Sequence, residues 1–180
     1  MLDIVLAQKE DLKAAHQLLV IRCQWFIENH IHGWNINTYP VQYNEQYLEE
    51  QMQSNKVYVA KEEGKIIGIM LLKSEDKEYW TDDVKAYYLH HFATDPHYQG
   101  IGKKMIEFAK EIAKQDGKNY LRLDCFESNA KLNGYYANLG FKSKGVGKIG
   151  NYEYRLWEVS LEKNIFYTIK TRGKESKWKN

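Results

Sequence analysis

The chain has 180 residues, of which 43% are hydrophobic and 28% charged, with a net charge of +2. That length suits one domain with a real core, and the mixed charge excludes a disordered chain. No apolar run reaches the ~18 residues of a membrane span, and MLDIVLAQKEDLK lacks the regions of a signal peptide, so a cytoplasmic protein is expected.

Leu2 to Ala7 is a short apolar run suited to a first strand. Glu10 and Asp11 open a helix with Leu12, Ala15, Leu18, Leu19, Trp25 and Phe26 on one face and Arg22 filling the remaining turn. His30 to Pro40 breaks the period with glycine, asparagines and proline, so it reads as a loop. Asn44 caps a second helix reaching Met52. Lys56–Lys61 and Lys65–Leu72 form a hairpin across Glu62-Glu63-Gly64. A polar connection, Ser74 to Asp83, carries Tyr79 and Trp80, and Ala86–Thr94 is the next strand.

From Ile101 to Asp116 the residues Ile101, Met105, Phe108, Ala109, Ile112 and Ala113 fall on one helix face, closed by Gly117. Tyr120–Phe126 is a strand and Asn129–Asn138 a helix stopped by Gly140. Phe141–Val146 and Tyr154–Leu161 pair as a last hairpin, and Ile165–Ile169 adds a further strand. The order β-α-α-β-β-β-α-β-α-β-β joins a meander to one βαβ crossover. It predicts an α/β fold with a single mixed sheet of about seven strands flanked by helices. Residues 1–162 form the domain. Residues 163–180 are a basic extension carrying +5 of the +2 total, which leaves the domain at −3. A solvated end is expected there, and nucleic acid is not an expected partner. Cys23 and Cys125 form no CxxC pair and read as reduced thiols.

The chemistry concentrates between Tyr87 and Phe141. There a strand runs through Asp95-Pro96 into Gly100-Ile101-Gly102 and a helix start. The first turn of a helix offers unpaired N–H groups and positive potential, so a phosphate-bearing ligand is expected. The string GxxxxGK[ST] is absent, and no third glycine completes GxGxxG, because Lys103 and Lys104 follow Gly102.

The stretches LHHFATDPHYQGIGKKMIEFA and RLDCFESNAKLNGYYANLGF resemble the GNAT superfamily of N-acetyltransferases, small-molecule-type bacterial branch. The family's [QR]-x-x-G-x-[GA] turn and its later N-x(6)-Y-x(3)-G-F pattern carry the resemblance. Asn129, Tyr136, Gly140 and Phe141 match the second at every spacing. The turn departs from the first: counted from Pro96, Gln99 opens it but Lys104 ends it, and counted from the helix, His97 replaces Gln or Arg.

The resemblance implies acetyl transfer from acetyl-CoA to a primary amine by direct attack, with no metal. Tyr136 would be the general acid for the leaving thiolate and His90 a candidate general base. Strict alternation puts Tyr88, His90, Phe92 and Thr94 on one strand face and Leu89, His91 and Ala93 on the other. Phe92, Ala93 and Thr94 would meet the pantetheine arm, and Gln99, Gly100, Ile101, Gly102, Lys103 and Lys104 the pyrophosphate. Asn129 would bond the cofactor beside Tyr136, or serve as a plain N-cap. Trp25, Trp34, Tyr39, Tyr79 and Trp80 are candidates for an aromatic acceptor wall, with Asp124 a candidate anchor for a cationic amine or a partner of Arg122. Cys125 is expected to be a buried thiol, and Tyr135 is assigned to packing or surface. The acceptor would be a small-molecule or peptide amine, and a homodimer would suit the family. Alternative readings are a non-catalytic acetyl-CoA sensor, which needs neither Tyr136 nor His90, and an enzyme acting on a protein or RNA-associated amine.

Overall fold

The computed structural model of the protein describes residues 1–161. The basic extension and the strand expected at Ile165–Ile169 lie outside the described residues. In chain order the elements are β1 (Leu2–Leu6), a 3-10 turn (Lys9–Asp11), α1 (Leu12–Glu28), α2 (Tyr39–Gln42), α3 (Glu45–Ser54), β2 (Lys56–Glu62) and β3 (Lys65–Lys73). Then follow β4 (Ala86–Thr94), α4 (Ile101–Gln115), β5 (Tyr120–Phe126), α5 (Ala130–Asn138), β6 (Lys142–Ile149) and β7 (Tyr152–Ser160). One seven-stranded sheet runs β1-β2-β3-β4-β5-β7-β6. Only the β4–β5 neighbours are parallel, since only the α4 crossover joins them. The mixed sheet with one βαβ unit is the expected α/β fold.

The core lies on both faces of the sheet. Met105 and Ile106 of α4 and Tyr136 of α5 pack with Met70, Leu72, Leu121 and Leu123. On the other face Leu18 and Leu19 of α1 and Leu48 of α3 meet Val59, Ile69 and Leu71. Gly68 lets α4 approach β3, because an added Cβ would sit 2.4 Å from the Met105 sulfur.

The structure departs from the sequence reading at two places that matter for the site. Within the expected loop, Tyr39–Gln42 winds into one helical turn with Pro40 in its first turn, where a missing N–H costs nothing. In β4, His90 pairs with Leu71 and Ala93 with Ile69, so His91 and Phe92 together oppose Met70 alone. This is a β-bulge, with His91 in the left-handed region at φ 46°. The bulge overturns strict alternation. Phe92 packs on the α4 side, whereas His91 stands beside Tyr39, Tyr43 and Tyr47, its ring 6.2 Å from that of His90.

Before it reaches the bulge, β4 also leaves β5. The two pair only at Ala86–Tyr120, Tyr87–Leu121 and Tyr88–Arg122, and from there the strands diverge.

Candidate active site

The divergence opens a cavity of about 1100 Å³. Its walls are Leu89–Thr94 of β4, Asp124–Phe126 of β5, the loop before α2 and the start of α5. The β4 backbone here has no β5 partner, so its N–H and C=O groups can accept an extended amide-bearing ligand as a sheet accepts an extra strand. At the end of that groove Gly100 caps α4 in the left-handed conformation (φ 78°) with no side-chain cap. The first-turn N–H groups of α4 therefore remain available to an anion.

Gly100, Gly102 and Lys103 line the cavity, as do Phe92, Ala93 and Thr94. Gln99 and Lys104 are exposed outside the lining, and Ile101 turns into the core. A Cβ on Gly102 would come within 2.9 Å of the Tyr135 hydroxyl, so Tyr135 belongs to the mouth of this turn. The Thr94 carbonyl, expected to face a ligand, already accepts a hydrogen bond from Arg22, which also donates to Thr94 Oγ1 at 3.0 Å. Arg22 comes from α1 and rests on Trp25, 4.9 Å from its ring. The side chain of Asn129 is engaged at both ends: Oδ1 accepts from the Leu132 N–H at 3.0 Å and Nδ2 donates to the His32 carbonyl at 3.0 Å. It is the N-cap of α5 and a tie to the loop over the cavity.

At the inner end stand the groups with chemistry. Tyr136 is buried at the cavity wall, and burial holds its phenol well above the ordinary range, with Cys125, Tyr135 and Asp124 adding to the effect. No protein group bonds its hydroxyl among the described residues. The Cys125 thiol is pushed up to about 12 by burial and donates to Asn133 Oδ1 at 3.2 Å, so no thiolate forms there near neutral pH.

His90 Nε2 lies 3.0 Å from Asp76 Oδ2. A carboxylate only accepts, so Nε2 carries the hydrogen and Nδ1 keeps its lone pair. One donor atom each of Asp76, His90 and Asp124 lies within 4.8 Å of the others. Asp124, on the cavity side, has its carboxyl raised to about 6, mainly by burial and further by the charges of Asp76 and Glu78, against the lowering effect of His90. His91 is a different case: Tyr39 Oη lies 2.6 Å from its Nδ1 and Tyr47 Oη 2.9 Å from its Nε2. Burial, with His90 and Lys73 nearby, depresses its pKa to about 3, so it is a neutral fixture of the bulge.

Trp25, Trp34, Tyr39, Tyr79 and Asp124 line the cavity; Trp80 does not. It is buried with Ala86 and Tyr88 beneath Arg122, whose guanidinium sits 4.1 Å from its ring. Asp124 forms no pair with Arg122, because Asp82 and Glu158 occupy that guanidinium. Sequence reasoning missed Asp76, since nothing separates it from Glu75 and Glu78 in the same polar connection. It also missed Tyr43, Phe126 and Tyr154, which line the cavity, and the cavity position of Arg22.

A mixed sheet parted beside a glycine-opened helix, with a phenol unbonded by protein in the cavity wall, defines an N-acyltransferase type of architecture. Residues 21–141 match the model of the Acetyltransferase (GNAT) family, more than half of the 180-residue chain, and the protein belongs to that family of N-acetyltransferases. YesJ, an uncharacterized N-acetyltransferase of Bacillus subtilis (strain 168), is 24% identical over 160 residues, 84% of this chain and 86% of YesJ. A GNAT-family acetyltransferase from Listeria monocytogenes 4b F2365 superposes with a TM-score of 0.75 at 27% identity, covering 89% of this chain and 95% of the other. The PaiA N-acetyltransferase of Thermoplasma acidophilum, solved in complex with coenzyme A, superposes at 0.71 with 19% identity over 89% and 99% of the two chains. At that identity the likeness concerns the fold alone. No helix among the described residues is long and apolar enough to cross a membrane.

Proposed function

We propose that this protein moves an acetyl group from acetyl-CoA to a primary amine by direct attack, with Tyr136 as general acid and His90 as general base. The observation that carries the reading is the unpaired β4 edge in the wall of a cavity that Tyr136 and the uncapped N-terminus of α4 also line. It offers a track for an amide-bearing arm and, at its end, a seat for phosphate. Acetyl-CoA, when bound, supplies the activated thioester.

The residues supply the rest. Asp124 holds the ammonium of the acceptor, and His90 Nδ1, with its tautomer set by Asp76, takes one proton from it. The freed amine bonds to the acyl carbon as the C–S bond breaks. Tyr136 gives its proton to the departing sulfur, and the phenolate recovers the remaining proton from the acylated nitrogen. The products are an amide, a thiol and one proton released from His90. Cys125 takes no part, since a thiol held protonated is a poor nucleophile.

Isothermal titration with acetyl-CoA, and separately with NAD and ATP, tests the cofactor reading. Binding of acetyl-CoA alone is expected. Tyr136→Phe should bind it as tightly yet lose about 10²–10⁴-fold in kcat, the usual worth of a positioned acid. Absence of acetyl-CoA binding, or a Tyr136→Phe variant at full rate, would reject the proposal.

A further inference from the structure

Asp76 reaches the site from a connection with no helix or strand of its own. Between Lys73 at the end of β3 and Ala86 at the start of β4 the chain makes only turns and bends. Connections of this kind are usually among the mobile parts of a fold. Yet the Asp76 side chain is only 4% exposed, and its Oδ2 stands 3.0 Å from His90 Nε2. Two anchors hold it there. The Trp80 N–H donates to the Asp76 carbonyl at 3.0 Å, which closes Asp76 to Trp80 into one turn, and the buried Trp80 ring lies 4.1 Å from the Arg122 guanidinium carbon. Trp80 Nε1 is buried with no hydrogen-bond partner among the described residues, so the stack and not a hydrogen bond places this ring. Two residues on, the Asp82 carboxylate accepts from Arg122 Nη1 at 2.5 Å and Nη2 at 2.8 Å, a two-point pair that fixes orientation as well as distance.

Arg122 can hold the connection because it is itself held. It stands on β5 opposite Tyr88, the last parallel rung before β4 and β5 part. Glu158 of β7 accepts from its Nε at 2.8 Å, and Tyr88 Oη lies 3.5 Å from its Nη1. One guanidinium therefore joins β4, β5, β7 and the connection at the root of the cleft. Two residues further along the parting strands come His90 on β4 and Asp124 on β5. A buried guanidinium that lost a carboxylate would be costly, so the pair stays closed even though Asp82 itself is half exposed.

We infer that Arg122 is a positioning residue for the base: through Asp82 and the Trp80 turn it holds Asp76 against His90, and so keeps the hydrogen on Nε2 and the lone pair on Nδ1. The inference rests on the acetyl-transfer reading with His90 as base, and two readouts that need no reaction test it. In 15N-labelled protein, at a pH where the His90 ring is neutral, its two nitrogens report the tautomer directly. The wild type should show Nε2–H alone. Asp82→Ala frees the connection while Glu158 still pairs Arg122, and it should move both resonances toward their values in an unrestrained histidine. In the same variant the Trp80 amide should exchange its hydrogen at least about tenfold faster than in the wild type. Lys56→Ala breaks a pair with Asp116 elsewhere in the fold and should change neither readout. Should Asp82→Ala fail to fold, Asp82→Asn, which keeps the shape and loses the charge, should shift both readouts in the same direction. If the Trp80 amide exchanges no faster, or His90 keeps its wild-type tautomer when it does, the inference is overturned. Neither readout involves acetyl-CoA, so that result would leave the acetyl-transfer reading intact. Loss of acetyl-CoA binding in the wild type would instead remove the reading beneath it.

Discussion

Asp76 and His90 stand at this site as a hydrogen-bonded pair, and in the proposed mechanism neither does the work alone. His90 has a lone pair to offer the acceptor only while Asp76 holds the hydrogen on the other nitrogen. Asp76→Asn can still donate or accept there, so it releases the tautomer without removing the imidazole. We expect His90→Gln to lose about 10²–10⁴-fold in kcat/KM at pH 7 and Asp76→Asn a smaller part of that. Raising the pH toward the pKa of the free amine should narrow the His90→Gln deficit, because the acceptor then arrives deprotonated. A deficit constant from pH 7 to 9.5 would show that His90 is not the base. Cys125→Ala should keep kcat within a few-fold, and mass spectrometry should find no acetylated enzyme in the wild type. Tyr136 could be singled out in the sequence because its spacing from Asn129 and Gly140 matches the pattern of the family the chain resembles. Asp76 was not legible, because its partner His90 lies across a connection whose path no local pattern specifies.

At the scale of elements, the bulge in β4 and the glycine turn of α4 shape the groove. Periodicity of two predicts a strand from Ala86 to Thr94, and the strand is there, but a bulge leaves no mark in an alternating apolar pattern. So the side-chain directions were right up to His90 and wrong at His91, Phe92 and Ala93. The energy that keeps His91 left-handed comes from partners far away in sequence, Tyr39 and Tyr47. Removing one of them tests this: Tyr47→Phe leaves a buried imidazole nitrogen without its bond and should cost about 1–3 kcal/mol in urea unfolding. If the bulge holds the cavity open, the same variant should also raise the KM for acetyl-CoA. A stability loss with unchanged KM would limit the His91 cluster to the core. The glycine turn makes a sharper case. Gly102→Ala adds a favourable helix residue but crowds the Tyr135 hydroxyl. Its melting temperature should hold while acetyl-CoA binds more weakly in titration.

For the molecule as a whole, the buried groups of this one site set the response of stability to pH. The Asp124 carboxyl has its pKa raised from 3.8 to about 6 in the folded chain. Between those values the folded state binds a proton the unfolded state releases, so Asp124 makes stability fall as pH rises from about 4 to 6. The His91 imidazole is depressed from 6.5 to about 3, so the unfolded state takes its proton first and stability falls as pH drops from 6.5 toward 3. Each proton is worth about 1.4 kcal/mol per pH unit, and the two slopes oppose one another over the shared window. Below it the opposition ends: Asp82, Asp95 and Asp116 have depressed carboxyls, bonded by Arg122, by His97 and Lys65, and by Lys56 and Tyr87 respectively. Their contribution, present above the ordinary carboxylate range, is lost as they protonate. Wild-type stability from urea unfolding should therefore be nearly level between pH 4.5 and 6 and collapse at more acid pH. Asp124→Asn should be the more stable protein at pH 7.5, by about 1–3 kcal/mol, and should lose that advantage steadily as the pH is lowered to 4.5. An advantage that stays constant with pH would mean that Asp124 ionises in the fold as it does in the unfolded chain. The charge it needs to hold an ammonium would then carry no stability cost.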